Sequence, residues 1–383
     1  MRRAMYPQAS HSDPAMYLAR TRPDQPVMFF DPARLGATAR RFLHGFPGVV
    51  TYAVKANPSR AVLDNLVASG VTGFDVASPA EIALVRDADT GAALHYNNPV
   101  RSRDEVAAGM RAGVSSWSVD CPGELDKLGA PRFAGEEVSV RLALPVKGAH
   151  YDFGDKFGLA PGPAAALLAE VARRGFQPAI CFHPGTQCAD PEAWAAYIAA
   201  AADVARQAGV QLARLNVGGG FASHRDGAAP DLEAIFARIG GMVDAAFDVR
   251  PTLVCEPGRA MVAESFTLGL RIKAIRGDGS VFLNDGLYGG LAELRDIGPN
   301  TRLRVLAPDG RPRDGAPRPR AGFGPTCDSL DRLPEPLHLP GDVQEGDFIL
   351  IEGMGAYSLA IATRFNGYGV GEVVTLAAPG GRD

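Results

Sequence analysis

The chain of 383 residues is 46% apolar and 21% charged with a net charge of −4, a composition that supports one large folded domain and a smaller one. That slight acidity, without a basic stripe, argues against nucleic acid as the main partner, and no apolar run approaches the ~18 residues of a membrane span. The N-terminus (Met1-Arg2-Arg3) lacks the apolar stretch of a secretory leader, and the five cysteines are scattered and never form a CxxC pair, so structural zinc and a disulfide framework are poor readings and a reduced, cytoplasmic protein is expected.

A polar arm leads to a strand over Pro26–Asp31, with Val27–Phe30 at its centre, closed by Pro32. From Val49 onward strands and helices alternate. Strands are predicted at Val49–Lys55, Gly73–Ala77, Leu94–Asn97, Ser116–Val119, Val138–Leu144, Pro178–His183, Leu212–Val217 and Thr252–Glu256. Between them, Pro163–Val171 opens with proline in its first turn and closes near Gly175. Asp190-Pro191-Glu192 caps an Ala-rich helix ending near Gly209, and Asp231–Phe247 has helical spacing. About eight β–α repeats predict a (β/α)8 TIM-type barrel over 32–262, with an open doubly wound sheet as the alternative. The Val27–Phe30 strand is then surplus and free to join another sheet. After Arg259 the rhythm becomes alternating, at Phe266–Ile272, Arg302–Leu306 and Phe348–Ile351. This predicts a mostly antiparallel β domain over 263–383, together with the arm and strand of 1–31. Pro308–Pro319 reads as a solvated loop.

Barrel enzymes place their chemistry at the C-terminal ends of the strands. Lys55 stands there, where Asn57-Pro58 stops the first barrel strand; it is either a lysine whose stem packs while its ammonium meets water, or a nucleophilic amine. Asp75 is in the second strand. His183-Pro184-Gly185-Thr186-Gln187 follows the sixth, Gly218-Gly219-Gly220 the seventh, and Glu256-Pro257-Gly258-Arg259 closes the eighth. Consecutive glycines are either an ordinary turn or a backbone cradle for phosphate oxygens. Glu256 is either half of an ion pair or the partner of a heteroaromatic nitrogen. His183 is either a satisfied core histidine or a ring that stacks on a planar cofactor. A lysine, a phosphate cradle, a carboxylate and a stacking ring on one face describe a pyridoxal phosphate site. In the second domain, Cys327-Asp328 sits in a glycine-proline loop, and Tyr357 is either a core aromatic or a further phosphate donor.

Taken in order, Tyr-Ala-Val-Lys-Ala-Asn (52–57), Gly-Phe-Asp-Val-Ala-Ser (73–78), Phe-His-Pro-Gly-Thr-Gln (182–187), Gly-Gly-Gly-Phe (218–221), Glu-Pro-Gly-Arg (256–259), Asn-Asp-Gly-Leu-Tyr-Gly (284–289), Gly-Pro-Thr-Cys-Asp-Ser-Leu-Asp (324–331) and Gly-Ala-Tyr-Ser (355–358) resemble the fold-type III pyridoxal-phosphate decarboxylases, ornithine/lysine branch. The resemblance implies that Lys55 is the Schiff-base lysine and His183 the ring-stacking histidine. Thr186 stands at a phosphate-binding serine; Gly218, Gly219, Gly220, Gly258, Arg259 and Tyr357 match the phosphate cradle. Glu256 matches the ring-nitrogen partner and Asp75 an acid near the lysine. It further implies that Cys327 reprotonates the α-carbon, that Asp328 holds the distal amine, and that Phe365 lies near the departing carboxylate. The segment from Tyr288 through Glu293 and Asp296 matches the family's specificity stretch approximately. By the same pattern the protein is a homodimer, the Cys327 loop reaching into the partner's site. Pro184, and the lack of an arginine in Tyr151–Asp155, are departures.

The implied reaction is decarboxylation of a basic L-amino acid, ornithine before lysine, with Asp328, Glu293 and Asp296 forming an acidic pocket. Diaminopimelate, kept open by Arg295, and carboxynorspermidine are alternatives, as is a non-catalytic relative that binds cofactor or a protein partner. An amino-acid racemase shares the barrel and the lysine but sets an arginine at the ring nitrogen, where this chain has Glu256.

Overall fold

The computed structural model describes residues 13–145 and 156–377. Of the stretches singled out above, the N-terminal arm to residue 12 and Tyr151–Asp155 lie outside the described residues. The chain divides into two compact units, Thr38–Ala222 with Pro230–Met261, and Met1–Ala37 with Ser223–Ala229 and Val262–Asp383. The short Ser223–Ala229 excursion, which the sequence reading leaves in the barrel, clusters with the second unit.

Strand β1 (Val27–Phe30) comes first in the chain. The first unit is then a closed parallel barrel of β2 (Val49–Ala53), β3 (Gly73–Val76), β4 (Ala93–Tyr96), β5 (Ser116–Val119), β6 (Glu137–Arg141), β7 (Gln177–Cys181), β8 (Arg214–Asn216) and β9 (Thr252–Cys255), with β9 pairing β2. Ser116–Val119 is as predicted, whereas several other strands end earlier than expected: β2 stops before Val54 and Lys55, β7 before His183 and β9 before Glu256. Lys55 sits in a single 3-10 turn, Val54–Ala56, immediately after β2. Helix ends follow capping chemistry. Asp190 accepts the Glu192 N–H at 2.9 Å and Pro191 opens the Pro191–Ala208 helix, which stops at Gly209 in the left-handed region.

Alternation along the strands decides what the barrel encloses. Tyr52, Phe74, Leu94, Trp117, Val138, Ile180, Leu215 and Leu253 are buried on one face. The opposite parity carries Thr51, Asp75, His95, Ser116, Glu137, Ser139, Cys181, Arg214 and Asn216. These meet one another: His95 Nδ1 lies 2.7 Å from Ser116 Oγ, Arg214 Nε 3.0 Å from Glu137 Oε2, and Ser118 Oγ 3.3 Å from Cys181 Sγ. The interior is therefore polar, and the same parity carries on past the strand ends to Lys55, Asn97, His183 and Glu256.

In the second unit, β10 (Phe266–Ile275) is the spine. It pairs antiparallel with β1, with β11 (Val281–Leu283) and with β16 (Phe348–Glu352), and β12 (Leu303–Leu306) extends the sheet beyond β16. The surplus strand of the sequence reading thus belongs to this sheet, where β17 (Glu372–Thr375) runs parallel to it. Tyr17, Leu18, Val27, Phe29, Leu306, Phe348 and Leu350 form its core. The end of the proline-rich loop is a strand instead: β13 (Pro317–Arg320) pairs with β15 (Leu337–Pro340) in a two-stranded ribbon, with β14 (Gly322–Phe323) beside β11. Prolines are tolerated there because such a ribbon has an open edge.

Candidate active site

Lys55, Asp75, Ala77, Asn97, Asn98, Arg141, Lys156, Phe157, Cys181, Phe182, His183 and Glu256 line one cleft of about 250 Å³ at the C-terminal mouth of the barrel. Four residues singled out from the sequence, Lys55, Asp75, His183 and Glu256, are thereby brought together. Burial, and after it the charge of Glu256, push the Asp75 carboxyl well above its ordinary range, opposed by Lys55. Burial raises Glu256 as well, opposed by an amide of Asn216, by Lys55 and by Arg141. Burial and the cations of Lys55 and Arg141 hold His183 well below its usual value, so its ring is neutral at neutral pH. A flat neutral imidazole beside paired acids and a lysine suits stacking on a planar cation.

The glycine run lies behind two of the lining residues: a Cβ at Gly219 would fall 2.7 Å from the Glu256 carbonyl oxygen and 3.4 Å from His183 Nε2. Gly218 has φ 72 and a Cβ there would lie 2.1 Å from the Phe182 carbonyl oxygen; at Gly220, φ 84, it would lie 2.4 Å from that of Gly185. Only glycine fits, so the run packs backbone on backbone against the His183–Thr186 loop. Thr186 is buried in that loop. Gly258 packs against the β2 turn, a Cβ there falling 3.0 Å from that of Ala56, and Arg259 opens the helix that follows.

The remaining site residues of the sequence reading lie in the second unit. Cys327 and Phe365 are exposed and Tyr357 is half-buried with φ 51. The Cys327 loop is organised by Asp331, which accepts the Leu287 N–H at 2.8 Å and the Thr326 hydroxyl at 2.7 Å. Asp328 accepts from the Tyr288 phenol at 2.5 Å. Glu293 does not present a charge to a substrate. It is buried and ion-paired with Arg225 at 2.9 Å, both side chains 7% exposed. Asp296 is exposed and pairs with its neighbour Arg295 at 3.2 Å. The expected acidic pocket of three carboxylates is therefore reduced, because Arg225 takes up one of them.

The motif reading missed Asn97, Asn216, Arg141, Lys156 and Phe157. Arg141 ends a barrel strand with inward parity, a signal present in the sequence, and its guanidinium lies 5.2 Å from the centre of the Phe157 ring.

Residues 33–263 match the family model described as pyridoxal-dependent decarboxylase, pyridoxal binding domain. The ornithine decarboxylase of Mus musculus is 31% identical over 353 residues, covering 86% of this chain and 75% of the mouse protein. The lysine/ornithine decarboxylase of Selenomonas ruminantium is 30% identical over 328 residues, covering 83% of this chain and 81% of that protein. A crystal structure of lysine decarboxylase from Selenomonas ruminantium superposes with a TM-score of 0.81 at 28% identity, covering 95% of this chain and 96% of that one.

The cleft fits the cofactor on its own terms. Among the described residues, Oδ1 of Asp75 is buried with no hydrogen-bond partner, an acceptor left for a bound group. In the glycine run the Gly218 N–H is taken up by Oδ1 of Asn216 at 2.9 Å, which leaves Gly219 and Gly220 as the backbone to consider for an anion, and Lys55 and Glu256 place an amine and a carboxylate in one cleft, the groups such a cofactor calls for. With the matched model spanning the barrel and relatives of this similarity covering most of their own length, the chain belongs to the pyridoxal-dependent decarboxylase family and is a pyridoxal-phosphate-dependent decarboxylase.

Proposed function

We propose that this protein decarboxylates a basic L-amino acid, ornithine first and lysine next, to a diamine and CO2. The observation that carries the reading is Asp328. Its carboxyl is held below the usual range by the Leu330 N–H and by the Tyr288 phenol, so it stays fully charged at neutral pH, ready for a distal ammonium. The similarity to ornithine and lysine/ornithine decarboxylases supports the substrate class.

Bound pyridoxal phosphate supplies an electron-poor ring that takes up the bonding pair left when CO2 departs. In this reading Lys55 holds the cofactor's aldehyde through its amine. His183 presents a neutral face to the ring, while Thr186, Gly218, Gly219, Gly220, Gly258, Arg259 and Tyr357 bind the phosphate. Glu256 keeps the ring nitrogen protonated, and Asp75 sits beside Lys55 as a raised-pKa acid. Phe365 screens the leaving carboxylate from water, and the Cys327 thiol delivers the proton to the α-carbon. The reading also includes a cytoplasmic homodimer in which the Cys327 loop serves the partner's site. Among the described residues no helix is long and apolar enough to cross a membrane.

Ornithine and lysine differ by one methylene, worth about 1–3 kcal/mol of discrimination. The test is CO2 and diamine release by the holoenzyme from L-ornithine, L-lysine, L-arginine and diaminopimelate. Ornithine is expected to give the highest kcat/KM with lysine second; release from none of the four refutes the reading.

A further inference from the structure

Glu256 is held by two amides that no motif announced. Nδ2 of Asn216 donates to its Oε1 at 2.5 Å, and Nδ2 of Asn97 donates to the same oxygen. The orientation of Asn216 follows from its other end: Oδ1 accepts the Gly218 N–H at 2.9 Å, so the group facing Glu256 is the NH2. Asn97 stands between two carbonyls tied down by one buried guanidinium. Arg101 donates to Tyr96 O at 3.1 Å and to Asn98 O at 2.8 Å, and reaches Ser118 O at 2.7 Å. Its plane lies over the rings of Tyr96 and Trp117, 5.4 Å from each centroid. Both donors therefore rest on fixed backbone.

An oxygen that accepts two N–H groups cannot also carry a proton without setting donor against donor. Any proton on this carboxyl resides on Oε2. We propose that Asn97 and Asn216 are positioning residues that reserve Oε1 as a permanent acceptor, making Oε2 the atom through which Glu256 meets the cofactor's ring nitrogen and keeping the shared proton on that nitrogen. This rests on the reading of Glu256 as the nitrogen's partner. Donation to Oε1 stabilises the carboxylate over the acid and so works against burial. The other charged groups facing Glu256 are Lys55 after β2, Asp75 on β3 and Arg141 on β6. Asn216 also ties the cleft to the glycine run, since one side chain holds both the Gly218 N–H and the glutamate.

The experiment uses holoenzyme reconstituted with pyridoxal phosphate carrying 15N in its ring, for the natural chain and for Asn97→Ala, Asn216→Ala, the double variant and Glu256→Gln. The 15N chemical shift is read at one neutral pH. The natural chain should show the pyridinium position. Each single variant should move toward neutral pyridine, and the double variant by about half or more of the displacement seen in Glu256→Gln. A double variant indistinguishable from the natural chain, while Glu256→Gln moves, overturns the positioning role. An unmoved Glu256→Gln overturns the reading of Glu256 and the proposal with it. Should the variants lacking Asn216 fail to fold, Asn97→Ala, which keeps the Gly218 contact, carries the same test alone. A loss of packing would lower the melting temperature without moving the nitrogen resonance.

Discussion

The phenol of Tyr288 donates to Oδ2 of Asp328 at 2.5 Å, and its ring packs against Phe365 with centroids 5.0 Å apart. One side chain thus touches the acid expected to hold the substrate's distal amine and the aromatic expected near its carboxylate. The Thr363 N–H and hydroxyl both donate to the Tyr288 carbonyl, at 2.8 and 2.9 Å, fixing the backbone beneath it.

Removing that phenol should therefore act on binding more than on turnover. Tyr288→Phe is expected to raise KM for ornithine about three- to tenfold with kcat within about twofold, because the lost contact orients a ground-state interaction. Asp328→Asn should raise KM on the order of 100-fold, since it removes the charge itself. Steady-state kinetics decide; a Tyr288→Phe enzyme with unchanged KM and reduced kcat would contradict the orientation argument.

Lys55→Ala should leave a folded barrel that no longer holds its cofactor covalently. The long-wavelength absorbance of the holoenzyme should disappear, and CO2 release should fall by on the order of 1,000-fold or more. Persistence of that absorbance after gel filtration would remove Lys55 from its proposed role.

Arg225 and Glu293 form a buried pair, and Arg225 also donates to Gly298 O at 2.7 Å. Breaking one side leaves a carboxylate buried without its cation. Arg225→Met should lose about 3–5 kcal/mol, and Arg225→Met with Glu293→Leu should recover most of it. Urea unfolding of the natural chain, both single variants and the double variant measures the coupling.

His95 makes stability depend on pH. Burial, and after it the cation of Arg214, lower it to about 3 from an ordinary value of 6.5. The folded ring stays neutral where the unfolded ring takes a proton, so the unfolded state binds more protons below about pH 6.5. This contribution is complete above that pH and is lost as pH falls toward 3. Unfolding free energy measured from pH 7 to 5 should drop with a slope approaching about 1.4 kcal/mol per unit from this group. His95→Gln should flatten the slope by about one proton.

Much of this protein was legible in its sequence because the relevant signals are local. The alternation that buries Tyr52 and Phe74 on one face places Asp75 on the other. Lys55, His183 and Glu256 stand at or just past the predicted ends of barrel strands, where such a fold gathers its chemistry, so the rim was legible from strand ends and motifs. What counting could not supply was the partner of each polar group. Asn97 and Asn216 reach Glu256 across 159 and 40 residues of sequence, and Arg225 reaches Glu293 across 68. An asparagine or an arginine announces no partner by its neighbours. In a closed barrel the strand register and the ring of pairings bring distant side chains to one point, and burial then makes each meeting decisive, since a polar group removed from water must be answered by another. The sequence by itself determined the barrel strands, their order and the chemical groups at their ends, while the ribbon of β13 and β15 was read as loop. Only the tertiary structure decided that Glu256 is gripped by two amides on one oxygen and that Glu293 is taken up by Arg225.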